Sequence, residues 1–323
     1  MKLDIVVPIY NEEENLGELQ RRLRDVCTRI EDCDWRVLYV NDGSKDRSLS
    51  IMMEQHRLDP RFTVLDLSRN FGHQAAITAG LMQSSGDVVI FMDGDLQDPP
   101  EVIPDLIEAW QGGAQVVRAQ RRSRKEKGLR RLGFEAFHTF FKWISDFPIP
   151  AQTGIFGLVG RQALAELKKL TEKNRFFPGL RSWVGFQQGI VTYDRQDRAG
   201  GEPKQSFKRL IKYALDAIFS FSYKPLKMMT AMGIFISTIG FALACFFILR
   251  RILGIEIAQT GFTTLVTLVL FLGGVQLIAI GLLGEYLARI YDEVKQRPLY
   301  IVREGYGLAK PEENQGQRQQ QRA

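Results

Sequence analysis

The sequence predicts an α/β protein: a mostly parallel sheet covered by helices, then amphipathic helices and a two-helix transmembrane hairpin. Three observations carry this expectation. Apolar, β-branched runs alternate with helical spacing over the first two-thirds of the 323-residue chain, the pattern of a sheet buried on both faces. Two long runs in the last third hold no charged residue, and each is long enough to cross a bilayer. Just before them, basic and aromatic residues interleave as in a helix lying among lipid headgroups.

The elements follow in order. "LDIVVPIY" is a strand, and "NLGELQRRLRDVCTRI" is a helix with Leu16, Leu19, Leu23, Val26 and Ile30 at helical spacing. "WRVLYVND" is a second strand, and "SKDRSLSIMMEQHR" a helix with Ser44 as its expected cap. "FTVLDLS" and "GHQAAITAGLMQSS" form a third pair, and "GDVVIFMD" is the fourth strand. In parallel sheets ligands bind beyond the carboxyl ends of the strands. The polar clusters Pro8 to Glu12, Asn41 to Ser44 and Asp93 to Asp95 all fall at those ends.

Met228 to Leu249 and Phe262 to Leu283 are the uncharged runs. Two core helices would also be apolar, but core helices seldom stay uncharged for this length, so a membrane hairpin is expected. Gly273, Gly274, Gly281 and Gly284 allow close helix packing in the second span. Lys208, Arg209, Lys212, Lys224 and Lys227 precede the hairpin, and Arg289, Lys295, Arg297 and Arg303 follow it, while the connecting loop carries only Arg250 and Arg251. The positive-inside bias puts both termini in the cytoplasm. A further basic-aromatic helix is expected around "GLRRLGFEAFHTFFKWI", either at the membrane or packed on the sheet. The expected division is residues 1–205 for the sheet domain, 206–227 for the interfacial helix, 228–288 for the hairpin and 289–323 for a C-terminal segment. The Gln-rich tail reads as disordered.

Composition narrows the function classes. Hydrophobic residues are 45% and charged residues 25%, which excludes a disordered or collagen-like chain. A net charge of +6 suits an anionic partner. The basic residues cluster around membrane-facing segments and not on one soluble module, which argues against nucleic acid. Cys27, Cys33 and Cys245 make neither a metal pattern nor a disulfide framework and fit a reducing compartment. The first residues, "MKLDIVVPIYNEE", do not read as a signal peptide. The three histidines show no metal spacing, and there is no P-loop or GxGxxG motif.

The stretch "VVIFMDGDLQDPP" ends a buried strand with Asp93, Asp95 and Asp98. Asp, Gly and Pro make ordinary turns. Asp93 and Asp95, two apart across Gly94 and close to Gln97, also offer hard oxygen ligands for one cation. Their place at a strand end, beside the other two polar clusters, favours the metal reading.

Together, "VVPIYNEEENL", "VNDGSKDRS", "LSRNFGHQAA", "DGDLQDPP", "ALDAIFSFSYKPLK" and "FLGGVQLIAIGLLGEYLARIYDEVKQRPLY" make the chain resemble the family 2 glycosyltransferases of GT-A, Rossmann-like fold. Within them it is most similar to the polyprenyl-phosphate glycosyltransferases of the bacterial bactoprenol type. The resemblance spans nearly the whole chain and implies an inverting hexose transfer, glucose from UDP-glucose foremost, to polyprenyl (undecaprenyl) phosphate. It implies a multi-pass protein of the inner membrane with its catalytic domain in the cytoplasm. The partners expected are a nucleotide sugar, a polyprenyl phosphate, the lipid bilayer and further copies of the chain in a homo-oligomer.

The resemblance also implies roles. Pro8, Tyr10 and Glu12 line the nucleotide site, and Asp42 holds base or ribose. Asp93, Gly94, Asp95 and Gln97 match the metal and diphosphate motif, which is often written with Ala where this chain has Gly94, and a divalent ion, Mg²⁺ or Mn²⁺, is the expected cofactor. Arg121 meets phosphates. Arg198 and Lys204, in "RAGGEPKQS", clamp donor and acceptor phosphates, with Pro203 where the family has Ser or Thr. From the sequence itself His73 is most simply a surface or packing residue, although its place after the "RNFG" motif would also let it approach the donor. One departure stands out. The family commonly reads Thr-Gly-Asp-Phe-Arg where this chain has "TGIFGLVGR", so Ile155 replaces an Asp often proposed as base and Gly157 replaces the Arg. Two readings follow: an enzyme that needs no side-chain base, or a membrane-anchored nucleotide-sugar-binding scaffold without turnover. A processive polysaccharide synthase would carry more spans and a Gln-x-x-Arg-Trp motif, and the sequence has neither.

Overall fold

The computed structural model describes residues 1–122, 153–194, 224–253 and 261–308. Strands and helices alternate as the sequence predicts: β1 (Lys2–Ile9), α1 (Leu16–Cys27), β2 (Asp34–Asn41), α2 (Ser48–Leu58), β3 (Phe62–Leu67), α3 (His73–Gln83) and β4 (Val88–Phe91). They continue with α4 (Ile103–Gln111), β5 (Val116–Arg121), β6 (Thr153–Gly160), α5 (Arg161–Lys169), α6 (Phe177–Trp183) and β7 (Gln188–Tyr193). Last come α7 (Lys224–Ile252), α8 (Phe262–Val294) and β8 (Val302–Tyr306). Helix α2 starts at Ser48, so Ser44 is not its cap. Ser44 instead accepts the Asn11 N–H through Oγ at 3.1 Å, while Asp46 Oδ1 accepts the Ser48 N–H at 3.0 Å.

The eight strands among the described residues form one sheet in the order β7-β5-β6-β4-β1-β2-β3-β8. β1 runs parallel to β2 and β4, β2 to β3, and β5 to β7. The sheet is mixed because β6 lies antiparallel between β4 and β5, and β8 lies antiparallel on β3. Strand alternation sends Ile5, Val7, Val37, Tyr39 and Ile90 to one face, where they meet Leu16, Leu19 and Leu23 of α1 and Leu106 of α4. The opposite face receives α3, which approaches Val6 and Val40 closely at Gly80. Burying each such aliphatic side chain contributes about 1.5–3 kcal/mol.

The chain divides into a sheet unit, which includes β8, and a second unit that holds α7 and α8. β8 thus draws part of the expected C-terminal segment into the sheet. Within α7 and α8, Leu226–Leu243 and Phe271–Val294 are long and apolar enough to cross a membrane. Phe235, Phe241, Leu277 and Ile278 are exposed along them. Apart from Lys224 to Lys227, the expected interfacial helix lies outside the described residues, as does the basic-aromatic helix around residues 128–144.

At the sheet edge opposite the polar clusters, buried Asp4 takes a two-pronged contact from Arg36, with Nε at 3.0 Å and Nη2 at 2.7 Å. It also accepts the N–H groups of Ser85 and Gly86. Removing this carboxylate strands a cation and two backbone donors, which costs about 3 kcal/mol. Asp4→Ala is therefore expected to lower the melting temperature of the purified protein by several degrees. Its nucleotide affinity, read by calorimetry, should be unchanged.

Candidate active site

The site is built where the first two crossovers meet. After β1 the chain turns through Asn11 at φ 55°, a left-handed conformation that Asn tolerates better than most residues. Asn11 Oδ1 accepts the Lys45 N–H at 2.8 Å. The Glu12 N–H donates to Ser48 Oγ at 2.9 Å, and the Glu13 N–H to Asp46 Oδ2 at 3.2 Å. The β1 and β2 loops thus satisfy each other's backbone. Pro8 is buried in β1 opposite Val40. Tyr10 is 43% exposed. Glu12 is half-buried, and its Oε2 accepts from Asn15 Nδ2 at 2.6 Å.

Asp42 follows β2 and is buried. Its two oxygens accept the N–H groups of Phe71 and Gly72 at 2.7 and 2.9 Å. Burial pushes its carboxyl upward, and these two bonds oppose the shift. In this structure Asp42 holds the turn that opens α3, so any contact with base or ribose uses its remaining lone pairs.

Asp93 and Asp95 leave the end of β4 half-buried. His73, at the start of α3, lies with Nε2 2.8 Å from Asp93 Oδ1. Partial desolvation among the surrounding loops pulls the imidazole down, but the hydrogen bond to Asp93 and the charges of Asp93, Asp42 and Asp95 leave it above its ordinary value. Asp95 Oδ1 accepts the Gln97 N–H at 3.1 Å, so Gln97, which is buried, reaches Asp95 through its backbone. Leu96 between them is left-handed at φ 60°. A Cβ on Gly94 would press on the tip of the Ile9 side chain, at 2.4 Å, and make ordinary contact with the Pro8 carbonyl and Val7 at 3.5 and 3.6 Å. The alanine common in the resembling family therefore needs little more than a shift of that tip.

The third aspartate of the cluster has a different place. Asp98 is 1% exposed. It accepts a short hydrogen bond from the Tyr193 hydroxyl and lies 3.4 Å from Arg121 Nη2. Arg121 Nε donates to Tyr193 Oη at 3.1 Å. Burial raises the Asp98 carboxyl above its ordinary value, and Tyr193 and Arg121 oppose that shift. Burial lowers Arg121, but the Asp98 charge and the Tyr193 contact more than offset it. Asp98 therefore ties the β4 loop to the ends of β5 and β7 and orients Arg121. Nothing in the sequence marked Tyr193 for this role.

Asp93 and Asp95 suit a small divalent cation. Both are hard oxygen donors on one turn. Among the described residues no group of three His, Cys, Asp or Glu side chains is placed to hold a metal ion, so the two carboxylates alone would be the protein's charged ligands, with substrate phosphates needed for the rest. Arg198 and Lys204 lie outside the described residues. Ile155 is buried in β6, and an aliphatic side chain cannot take a proton.

The glycosyl transferase family 2 profile matches residues 4–166. Over 309 residues the chain is 44% identical to the uncharacterized glycosyltransferase YkcC of Bacillus subtilis strain 168, covering 95% of each chain. Over 307 residues it is 41% identical to the SfII prophage-derived bactoprenol glucosyl transferase of Shigella flexneri, covering 95% of this chain and 99% of that one. The chain belongs to glycosyl transferase family 2 and is a glycosyltransferase. Among solved structures it resembles glucosyl-3-phosphoglycerate synthase from Mycobacterium tuberculosis, crystallised in complex with Mn²⁺, UDP and phosphoglyceric acid, with a TM-score of 0.45 and 16% identity over 68% of this chain and 76% of that one.

Asp98 and Asp95 separate experimentally. Asp98→Ala leaves Tyr193 and Arg121 without their carboxyl and is expected to cost about 3 kcal/mol. Asp95→Ala, at a half-exposed strand end, is expected to stay within about 1 kcal/mol of wild type. Thermal denaturation of the two variants checks both values.

Proposed function

We propose that this glycosyltransferase moves a hexose, glucose from UDP-glucose, onto the phosphate of a polyprenyl phosphate at the cytoplasmic face of the inner membrane. The observation that carries this reading is the end-to-end similarity to a bactoprenol glucosyl transferase, over a chain whose last third holds two long apolar helices. A polyprenyl phosphate lies in the bilayer, and such helices would hold its transferase there. A hairpin anchor with both termini in the cytoplasm, and assembly into a homo-oligomer, belong to the same proposal.

The acceptor phosphate oxygen attacks the anomeric carbon as the bond to the nucleoside diphosphate breaks, with inversion. The electron pair of that bond leaves on the diphosphate. A divalent ion, Mg²⁺ or Mn²⁺, held by Asp93 and Asp95 would neutralise charge on the diphosphate. Tyr10 and Glu12 flank the nucleotide, Asp42 shapes the loop beneath it, and Arg121 reaches a phosphate from its Asp98–Tyr193 mount. Arg198 and Lys204 add a phosphate clamp, with Arg suited to bidentate contacts. The acceptor is a phosphate monoester with a second pKa of about 6, as for phosphorylated side chains. At neutral pH it is largely the dianion, so no side-chain base is required and Ile155 is no obstacle.

The deciding measurement incubates the purified protein with undecaprenyl phosphate and a panel of nucleotide sugars, with Mg²⁺ or Mn²⁺. Transfer of hexose from UDP-glucose is the expected result, and Asp95→Ala should abolish it. Nucleotide binding without any transfer would establish instead the scaffold reading that Ile155 and Gly157 favour.

A dianion nucleophile also fixes a pH profile. The rate should fall with acid as the lipid phosphate protonates, with a midpoint near or below about 6, since neighbouring cations favour the dianion. Ile155→Asp should not raise the rate of the folded protein substantially. A gain of orders of magnitude would show that a base is required.

A further inference from the structure

Two arginines lie in the sheet unit where burying a cation is expensive. Arg118 on β5 is 2% exposed, and Arg181 on α6 is wholly buried. Among the described residues no carboxylate pairs with either, and the Nε of each has no hydrogen-bond partner. Burial, together with the charge of Arg118, pulls Arg181 down to about 9. Packing alone does not explain this, because Leu or Met fills such a space without desolvating a charge.

The contacts of Arg181 are specific. Nη1 donates to the Ile155 carbonyl at 3.0 Å, and Nη2 donates to the Gly154 carbonyl at 2.7 Å. The Phe177 ring lies against its guanidinium, with the centroid 5.1 Å away. Arg118 instead donates to Ser182 Oγ at 2.9 Å. Room for Arg181 comes from Gly157. A Cβ there would stand 2.8 Å from Arg181 Nη1 and 2.4 Å from the Val117 carbonyl, and φ is +153°. The missing side chain at 157 and the buried cation on α6 are thus parts of one arrangement. The other side of the same short segment faces the site, since the Cβ position of Gly154 is 3.6 Å from Arg121 Nη2.

We infer that Arg181 is a positioning residue for transfer: from behind β6 it fixes the Gly154 and Ile155 carbonyls, and through that strand it sets the Arg121 guanidinium against Gly154. Arg181 does not touch substrate. It acts by holding two consecutive carbonyls in a two-pronged grip, which a flexible lysine reproduces poorly. The activity readout rests on the transfer reaction proposed above, whereas the binding readout does not.

The test is a double-mutant cycle on the full-length protein with Arg181→Met, Arg121→Met and the pair. It is read by kcat and KM for UDP-glucose and, independently, by calorimetric binding of UDP with Mn²⁺. Each single variant should lower kcat/KM and weaken UDP binding. In the Arg121→Met background, Arg181→Met should then cost about tenfold less than in wild type, because its target is gone. Equal fold-losses in both backgrounds would make Arg181 a packing residue and overturn the inference. If Arg181→Met does not fold, the cycle runs with Arg181→Lys under the same criterion. Failure of both to fold would also overturn the inference in favour of a purely structural role. Should the wild type transfer sugar to no lipid phosphate, the proposed reaction fails, and the binding cycle still decides the role of Arg181.

Discussion

A parallel strand cannot return to its neighbour through a tight turn, so every crossover needs a helix, and the strands then all end at one edge. Parallel pairing of β1 with both β2 and β4 imposes this on the molecule. It brings the loops after three strands together and leaves their backbone groups without a ladder. Those groups must find partners, since buried unpaired N–H groups are costly. The partners are side chains borrowed from the next loop: Ser44, Ser48 and Asp46 serve residues 11–13, and Asp42 serves Phe71 and Gly72. The polar clusters at the strand ends are therefore first a scaffold, and what they can offer a ligand is what they leave facing outward.

The charge layout follows from the same geometry. Acidic groups stand at the β4 end, where Asp93 and Asp95 are half-exposed. Cations come from the flank formed by β5, β6 and α6, where Arg121 is mounted on Asp98 and Tyr193 and Arg181 lies behind the strand. A leaving diphosphate and an incoming phosphate both need positive charge, and a nucleophile that is already anionic needs no proton acceptor. The apolar Ile155 in this wall is consistent with such chemistry. With Arg181 donating to its carbonyl, residue 155 contributes through its backbone, whatever its side chain.

Strands β1 to β4 were legible because burial on both faces leaves uninterrupted apolar words, and helix α1 because its stripe keeps helical spacing. β8 was not. Val302–Tyr306 alternates weakly, exposes its three central residues and gains its order from pairing with β3, which no local pattern announces. The aspartates show the same limit within one motif. Sequence placed Asp93, Asp95 and Asp98 in one cluster, but a left-handed Leu96 redirects the chain, so that the last of them turns inward to Tyr193, 95 residues away. Ser44 looked like a helix cap because a lone hydroxyl cannot reveal which of two nearby N–H groups it will meet. Arg181 carried no signal either, since a buried cation and a solvated one are written with the same letter.

The chain's return to the sheet after its apolar helices has a physical reason. Without β8, β3 would be an edge strand with a row of unpaired backbone groups, a template for association with other chains. Pairing β8 on β3 closes that edge. Side chains reinforce the closure: Arg303 Nη2 donates to the Ser68 carbonyl at 2.6 Å, and Nη1 lies 3.3 Å from Asp66 Oδ2. Asp66 in turn accepts from Asn41 Nδ2 at 2.7 Å through its other oxygen. Asn41 immediately precedes Asp42, and Ser68 opens the loop whose Phe71 and Gly72 N–H groups Asp42 holds. Among the described residues the last strand thus completes the hydrogen bonding behind the loops after β2 and β3, and β3 gains this partner only when the chain has been made past both apolar helices.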